Sequence, residues 1–204
     1  MIADLEAAAG RTVSRETFGK LETFAGLLGE ENQRQNLVSP ASLADIWNRH
    51  LLDGAQLLGL ADRQGNWLDI GSGAGLPGMV LAILSGAPTT LNEPRKLRAE
   101  FLRRSAVELE LANVQVAECK VERLAGKFDF ITARAVARLD KLLGMACHLA
   151  HSETKWVLPK GESAQWELDE ARKAWQGSFR LVPSRTHPAS AIVVAEHVVR
   201  RGKR

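Results

Sequence analysis

The sequence predicts an α/β fold with a mainly parallel sheet, an antiparallel last strand and additional helices at the N-terminus. The strongest observation is the segment 67–78, where a short apolar run leads into alternating glycines and then a second apolar run. That order is typical of a strand, a tight turn and a helix, which together begin a doubly wound sheet. Short apolar runs then alternate with amphipathic stretches as far as residue 176, and two final apolar runs predict an antiparallel pair.

The N-terminal part of the chain predicts helices. Ser14 is a suitable N-cap for a helix whose apolar residues recur at helical spacing. Ser39 and Pro40 combine an N-cap with a first-turn proline, which predicts the start of a second helix. A further helix is predicted over 51–60.

The later part of the chain predicts the sheet and its covering helices, punctuated by Gly161, Gly177 and Pro183. The predicted elements are strand 66–70, helix 77–85, strand 89–92, helix 95–110, strand 114–117, strand 128–133, helix 139–149, strand 156–160, helix 163–176 and strands 179–182 and 191–195. Because neither an internal repeat nor a low-complexity linker interrupts the sequence, we expect one domain over 1–204. Residues 1–62 would form a helical extension, and residues 63–204 the α/β core.

The charge balance is mildly basic, with 27 Lys and Arg against 24 Asp and Glu, and this permits an RNA substrate without requiring one. Cations are concentrated in two stretches, 95–104 and 200–204. In a helix over 95–110, Leu97, Phe101 and Leu102 are expected to face the core, and most of the cations are expected to face the solvent. A solvated face is the usual role of such a run.

The composition is that of a soluble globular protein, and we expect a cytoplasmic location. No apolar stretch is long enough to span a bilayer, and the first residues lack the layout of a signal peptide. Cys119 and Cys147 are too few for a disulfide framework. Cys147, His148 and His151 lie close together in sequence, but no further ligand cluster completes a metal site, so no metal is expected.

The glycines can be interpreted in two registers. Residues 73–78 satisfy G-x-G-x-x-G, the dinucleotide fingerprint, whereas 69–75 form the acidic-x-G-x-G-x-G pattern that resembles motif I of class I S-adenosylmethionine methyltransferases. About a third of the chain precedes the loop, which favours the methyltransferase register. Glu93, after the next strand, is placed to accept hydrogen bonds from ribose hydroxyls of either cofactor. It is equally suited to be a favourable charge at the start of the following helix.

Beyond the glycines, the chain resembles the RsmG (GidB) family over nearly its whole length. The segments that carry the resemblance are Asn36-Leu37, Trp47-Asn-Arg49-His50-Leu-Leu-Asp53, Leu68-Asp-Ile-Gly-Ser-Gly-Ala-Gly-Leu-Pro-Gly78, Phe128-Asp129 with Thr132-Ala-Arg-Ala135, and Lys160-Gly161. Three positions depart from the usual family residues: Gly54, Lys120 and Ala133. The ordered set of motifs is far more specific than the glycine loop alone.

The resemblance implies a Rossmann-like class I fold and methylation of guanosine N7 in 16S rRNA, with S-adenosylmethionine as the cofactor. The implied cofactor contacts are Gly71, Gly73 and Leu76 along the methionine and ribose, Glu93 on the ribose hydroxyls, Val121 and Glu122 beside the adenine, and Arg134 from the opposite wall. The implied partner is 16S rRNA or the small ribosomal subunit, and we expect a monomer.

The substrate side is less constrained by the sequence. Arg49 and His50 are candidates for the mouth of the pocket, and Lys160, at the end of a later strand, is a third. Alternatively, His50 and Asp53 share a helix face, and the carboxylate would then orient the imidazole for a purely structural role. No catalytic acid or base is predicted, because a sulfonium methyl donor and an unprotonated guanine N7 need only to be aligned.

Three other functions share some of these features. A nicotinamide-dependent oxidoreductase would use the same glycines but would leave the Arg134 signature without a role. A non-catalytic ribosome-assembly factor would retain the fold without the reaction. A small-molecule methyltransferase would need neither the basic ends nor the family motifs.

Overall fold

The computed structural model describes residues 1–202, and within this range seven strands form one sheet. Its order is β3-β2-β1-β4-β5-β7-β6; the first five strands are parallel, and β7 runs antiparallel to both β5 and β6. The strands are β1 Trp67–Ile70, β2 Thr89–Asn92, β3 Val114–Ala117, β4 Phe128–Ala133, β5 Ala150–Lys160, β6 Trp175–Pro183 and β7 Ala191–Arg200. The helices are α1 Ile2–Ala9, α2 Arg15–Gln35, α3 Pro40–Ala44, α4 Asp53–Leu58, α5 Gly78–Ser85, α6 Lys96–Glu108, α7 Leu139–Ala146 and α8 Ala164–Ala174.

Two hydrophobic clusters cover the two faces of the sheet. Successive strand residues point to opposite faces, so Trp67 packs in one cluster and Leu68 in the other. The first cluster joins the sheet to α1, α2, α4, α5 and α6, and the second joins it to α7 and α8. The N-terminal helices therefore share a core with the sheet.

The predicted fold class is confirmed, and so are two predicted helix starts. Ser14 accepts a hydrogen bond from the Thr17 backbone N–H at 3.0 Å, and Ser39 accepts one from Ser42 at 3.2 Å. No described helix within residues 1–202 is both long and apolar enough to cross a membrane.

Some predicted boundaries and one predicted burial are wrong. The segment 51–60 is not one α-helix, because a π-helical turn, Trp47–Leu52, precedes α4. The final strands extend well past 179–182 and 191–195, because backbone pairing continues through their exposed polar residues. Leu97 is 65% exposed rather than in the core, because the first turn of α6 lies beyond the end of β2.

Candidate functional site

The glycine loop follows β1 directly and turns with positive φ angles. At Gly71 (φ +66°) a Cβ atom would lie 2.6 Å from Cγ2 of Val136, so the loop after β4 packs directly on this residue. At Gly73 (φ +54°) a Cβ would have no neighbour closer than Nη1 of Arg98 at 3.6 Å. Gly73 therefore presents bare backbone to a polar, open side of the loop, which suits close approach of a ligand.

Glu93 joins this loop to the next strand. The residue is buried just after β2; its Oε2 accepts a hydrogen bond from the Gly73 N–H at 2.9 Å, and its Oε1 accepts one from Arg95 at 2.8 Å. Arg95 is the N-cap of α6, so the carboxylate also lies at the start of that helix. This agrees with the alternative role of Glu93 as a favourable charge at the helix start. Each oxygen has a further lone pair with which to accept a ligand hydroxyl.

Asp69 is the functional candidate beneath the loop that the predicted site set missed. Its Oδ2 accepts a hydrogen bond from the Gly78 N–H at 3.0 Å, whereas its fully buried Oδ1 has no hydrogen-bond partner in residues 1–202. Burial raises the pKa of Asp69 to about 7, although the hydrogen bond from Gly78 and the charge of Arg134 oppose the shift. The acidic position of the motif I pattern was the sequence signal for this residue.

The loop, Glu93 and Asp69 fit S-adenosylmethionine. The ligand's ribose hydroxyls match a buried carboxylate, Glu93, that has acceptor capacity left. The buried carboxyl group of Asp69 beneath the loop would favour its sulfonium and ammonium cations through space. Bare glycine backbone lets such a ligand approach without a clash.

The remaining predicted cofactor residues are placed less directly. Leu76 and Val121 are buried in the hydrophobic clusters, so they can offer a ligand mainly their backbone groups. Glu122 is exposed in the short 3-10 turn after β3. Asn92 holds the segment leading to that turn, because its side-chain amide donates to the Cys119 carbonyl at 2.9 Å.

Arg134 lies at the carboxyl end of β4 and contacts the N-terminal helical region. Its Nη1 is 2.9 Å from Nδ1 of His50 and 3.7 Å from Oδ2 of Asp53. Asp53 in turn accepts hydrogen bonds from Gln56 and Thr186, both at 2.8 Å. The predicted pairing of His50 with Asp53 is thus replaced by an arrangement in which the guanidinium lies between them.

Burial determines the charge states in this cluster. It lowers the pKa of Arg134, with the Asp53 and Asp69 charges opposing the shift, but a guanidinium remains a cation. Burial, helped by the charges of Arg134 and Arg49, lowers the pKa of His50 to about 4. His50 is therefore neutral near pH 7. Because Arg134 donates to Nδ1, the imidazole proton resides on Nε2, which is buried without a partner in residues 1–202.

The lowered pKa of His50 predicts a pH-dependent contribution to stability. Between about pH 4 and 6.5 the unfolded state binds the proton and the folded state does not, so this contribution rises with pH. We expect the wild-type advantage in unfolding free energy over His50→Gln to grow across this window, by up to about 3 kcal/mol. Urea unfolding at several pH values measures it.

The exposed residue His148 offers the matched control. The same comparison with His148→Gln separates the effect of this buried site from that of removing any histidine. A wild-type advantage over His50→Gln that is the same at every pH would contradict the assignment of a neutral, buried imidazole.

Two adjoining clefts, of about 430 and 330 Å³, open beside Arg134. Both are lined by Asp53, Arg134, Gly161 and Ser190. The larger also includes residues 134–138 and Lys160, and the smaller includes Arg49 and His50. The three predicted substrate residues, Arg49, His50 and Lys160, thus border one connected space at the carboxyl edge of the sheet, where ligands bind in this fold class.

Lys160 is anchored within that space. Its Nζ lies 2.9 Å from Oε2 of Glu167 and donates to the Ala137 carbonyl at 2.9 Å. Burial tends to raise the pKa of Glu167, but hydrogen bonds from Lys160 and Ser163 outweigh this and hold it below its usual value. Lys160 therefore fixes the loop after β4 and keeps one N–H for a substrate.

Other site residues had no sequence signal. Val136, which packs on Gly71, belongs to the loop after β4, and Arg98, which lies beside Gly73, belongs to α6. Both reach the glycine loop only in the folded chain. Within the described range, 1–202, no three His, Cys, Asp or Glu side chains are grouped as a metal site would need. Lys203 and Arg204 of the basic C-terminal stretch lie outside the described residues.

Comparison with solved structures supports the fold. The chain superposes on a SAM-dependent methyltransferase from Aquifex aeolicus with a TM-score of 0.60 at 15% identity, covering 81% of this chain and 96% of that one. It superposes on a ribosomal protein L11 methylase from Lactobacillus delbrueckii subsp. bulgaricus with a TM-score of 0.59 at 13% identity, covering 76% and 79%. At such identities the likeness establishes the class I methyltransferase fold.

Comparison with known sequences identifies the family. Residues 17–189 match the model of GidB, rRNA small subunit methyltransferase G. The chain is 45% identical over 196 residues to ribosomal RNA small subunit methyltransferase G of Zymomonas mobilis, covering 91% of this chain and 88% of the relative. It is 40% identical over 205 residues to the enzyme of that name from Caulobacter vibrioides, covering 97% and 94%.

These matches confirm the predicted family, the enzyme class and the S-adenosylmethionine cofactor, and they exclude the nicotinamide oxidoreductase interpretation. A glycine loop, a buried carboxylate after β2 and an adjoining cleft at the carboxyl edge of the sheet are the features such an enzyme needs. The chain belongs to the rRNA small subunit methyltransferase G (GidB) family and is an S-adenosylmethionine-dependent methyltransferase.

Proposed function

We propose that this enzyme transfers the methyl group of S-adenosylmethionine to N7 of one guanosine in 16S rRNA. The observation that carries the proposal is the contact between the glycine loop and the clefts: Val136 of the loop after β4 packs on Gly71, and Arg134 of the same loop lines both clefts. A methyl donor on the glycine loop would thus face a base held in the clefts. The rRNA acceptor is the one named for the relatives from Zymomonas mobilis and Caulobacter vibrioides.

The reaction needs alignment more than acid–base chemistry. S-adenosylmethionine supplies a methyl group already activated by its sulfonium, and guanine N7 carries a free lone pair near neutral pH. Holding the two in line is worth roughly 7–11 kcal/mol of the barrier. We therefore assign no general base, in keeping with a neutral His50 whose Nδ1 is occupied by Arg134. The proposed step is a direct in-line displacement without a covalent enzyme intermediate.

We assign the cofactor roles that the family resemblance implies, and the contact between Gly73 and Glu93 supports them. Gly71, Gly73 and the backbone of Leu76 would contact the methionine and ribose, and Glu93 would accept the ribose hydroxyls. Its hydrogen bond from Gly73 keeps the carboxylate aimed at the loop. The segment that holds Val121 and Glu122 would border the adenine, and Arg134 would close the site from the side of β4.

The acceptor roles fall to the residues of the clefts. Arg49 is exposed at the rim and suits an RNA phosphate, whereas Lys160 has one N–H left for the base or its ribose. His50 would act by holding Arg134. An unpaired guanine is the acceptor that such a recessed space favours, because a stacked base would not reach the methyl group.

We further propose that the enzyme acts in the cytoplasm as a monomer, and that residues 1–62 and 63–204 work as one domain.

The decisive test is methyl transfer from labelled S-adenosylmethionine to 16S rRNA from cells that lack this gene. Naked RNA and intact 30S particles are assayed side by side, and the labelled base is mapped by reduction and aniline cleavage, which breaks the chain at N7-methylguanosine. We expect label at N7 of a single guanosine. Label on another atom would overturn the assignment to N7, and no label on either substrate would overturn the RNA function.

A further inference from the structure

Trp166 is an exposed aromatic side chain in a protein whose other tryptophans are buried or half-buried. It lies on α8 with half of its surface accessible, and the guanidinium of Arg138 lies over its ring, 4.9 Å from the centroid. The indole and the guanidinium together form a flat, positively charged surface that is exposed to solvent. Neither the cofactor site nor the clefts described above account for it.

This pair lies beside the proposed acceptor site. Arg138 is the last residue of the 134–138 segment that lines the 430 Å³ cleft. Val136, Ala137, Arg138 and Glu167 also line a neighbouring groove of about 480 Å³, whose lining includes Trp166. The groove therefore lies directly against the cleft.

Charged side chains of both signs line the groove. Two of its acidic residues form ion pairs, Glu167 with Lys160 at 2.9 Å and Glu170 with Lys173 at 2.6 Å, whereas the partner of Asp140 is neutral. Asp140 accepts a hydrogen bond from the Trp175 indole at 2.8 Å. The exposed Lys141 adds a second cation beside Arg138. A planar aromatic group linked to a phosphate matches this combination.

We propose that Trp166 and Arg138 form a stacking subsite for an unpaired RNA base next to the methylated nucleotide. The inference rests on the proposed function, which it extends by a second nucleotide contact. Bases of single-stranded RNA stack on aromatic rings and on guanidinium planes. Removing an aromatic platform typically weakens binding by about five- to 150-fold.

The test compares Trp166→Ala and Trp166→Phe with wild type, using whichever substrate wild type methylates, naked RNA or reconstituted 30S particles. We expect Trp166→Ala to raise KM for RNA about tenfold, with kcat nearly unchanged. Trp166→Phe should retain most of the affinity, because it keeps an aromatic face. The control is Val107→Ala. It also removes an exposed apolar side chain, but from α6, near the opposite edge of the sheet.

Two further substrates each lack one base, either the base before the target guanosine or the base after it. If Trp166 stacks on one of these two bases, wild type and Trp166→Ala should have equal KM values for the substrate that lacks it. An unchanged KM for Trp166→Ala, or a defect that persists with both abasic substrates, would overturn the subsite. Absence of transfer by wild type would instead overturn the proposed function, so the two failures are distinguishable.

Discussion

Replacing Arg134 with alanine is expected to reduce methyl transfer by about 100-fold or more, because small misplacements of the reacting atoms cost this much. The guanidinium contacts His50 and Asp53 from the end of β4 and lines both clefts, so its loss removes the link between the helices and the loop. A single-turnover assay at saturating RNA, with the affinity for S-adenosylmethionine measured separately, reports the effect.

Two further variants show whether the loss of methyl transfer depends on the position of the Arg134 charge. Arg134→Lys keeps a cation, but its ammonium does not reproduce the position of the guanidinium Nη1 near His50 and Asp53, so we expect it to recover only part of the rate. Arg172→Ala removes an arginine from an exposed ion pair with Asp169 and should behave like wild type. If Arg134→Ala retained the wild-type rate, the clefts beside it would not be the acceptor site.

Replacing Gly73 with alanine is expected to lower the affinity for S-adenosylmethionine by about tenfold or more, equivalent to at least about 1.4 kcal/mol. The new methyl group would have no protein atom closer than 3.6 Å, so the folded chain accommodates it. It would nevertheless project from the bare backbone that the ligand must approach. Equilibrium titration followed by calorimetry measures the loss.

Gly86 provides the matched control for the backbone strain. It also has a positive φ, +65°, with nothing within 4 Å of its Cβ position, but it terminates α5 away from the glycine loop. Both alanine variants should lose about 1–2 kcal/mol of unfolding free energy from the left-handed conformation. Only Gly73→Ala should lose cofactor affinity, and equal affinities in the two variants would refute this placement of the ligand.

The sequence was sufficient for the fold class and for the contact between the glycine loop and Glu93, because both depend on local patterns. Gly71, Gly73 and Glu93 lie within one strand–turn–helix–strand unit, and the folded unit brings Glu93 within hydrogen-bonding distance of Gly73. Local spacing also identified the caps at Ser14 and Ser39.

The clefts beside Arg134 depend on contacts between distant segments, which periodicity does not reveal. Helical spacing paired His50 with Asp53, but the folded chain inserts Arg134, 84 residues from His50, between them. The π-helical turn at Trp47–Leu52 likewise has no local signature that separates it from an α-helix. Leu97 failed as a core prediction because helical periodicity does not show where the covering layer ends.

The position of Arg134 also has an evolutionary consequence. Gly71, Gly73 and Glu93 come from one continuous stretch of the chain. The clefts are instead lined by four separate segments: the N-terminal helices, the loop after β4, the end of β5 with Gly161, and the turn before β7. Mutations in the turn before β7 can therefore reshape the clefts while Gly71, Gly73 and Glu93 stay unchanged. A descendant of this chain could acquire a different acceptor while inheriting its methyl donor unchanged.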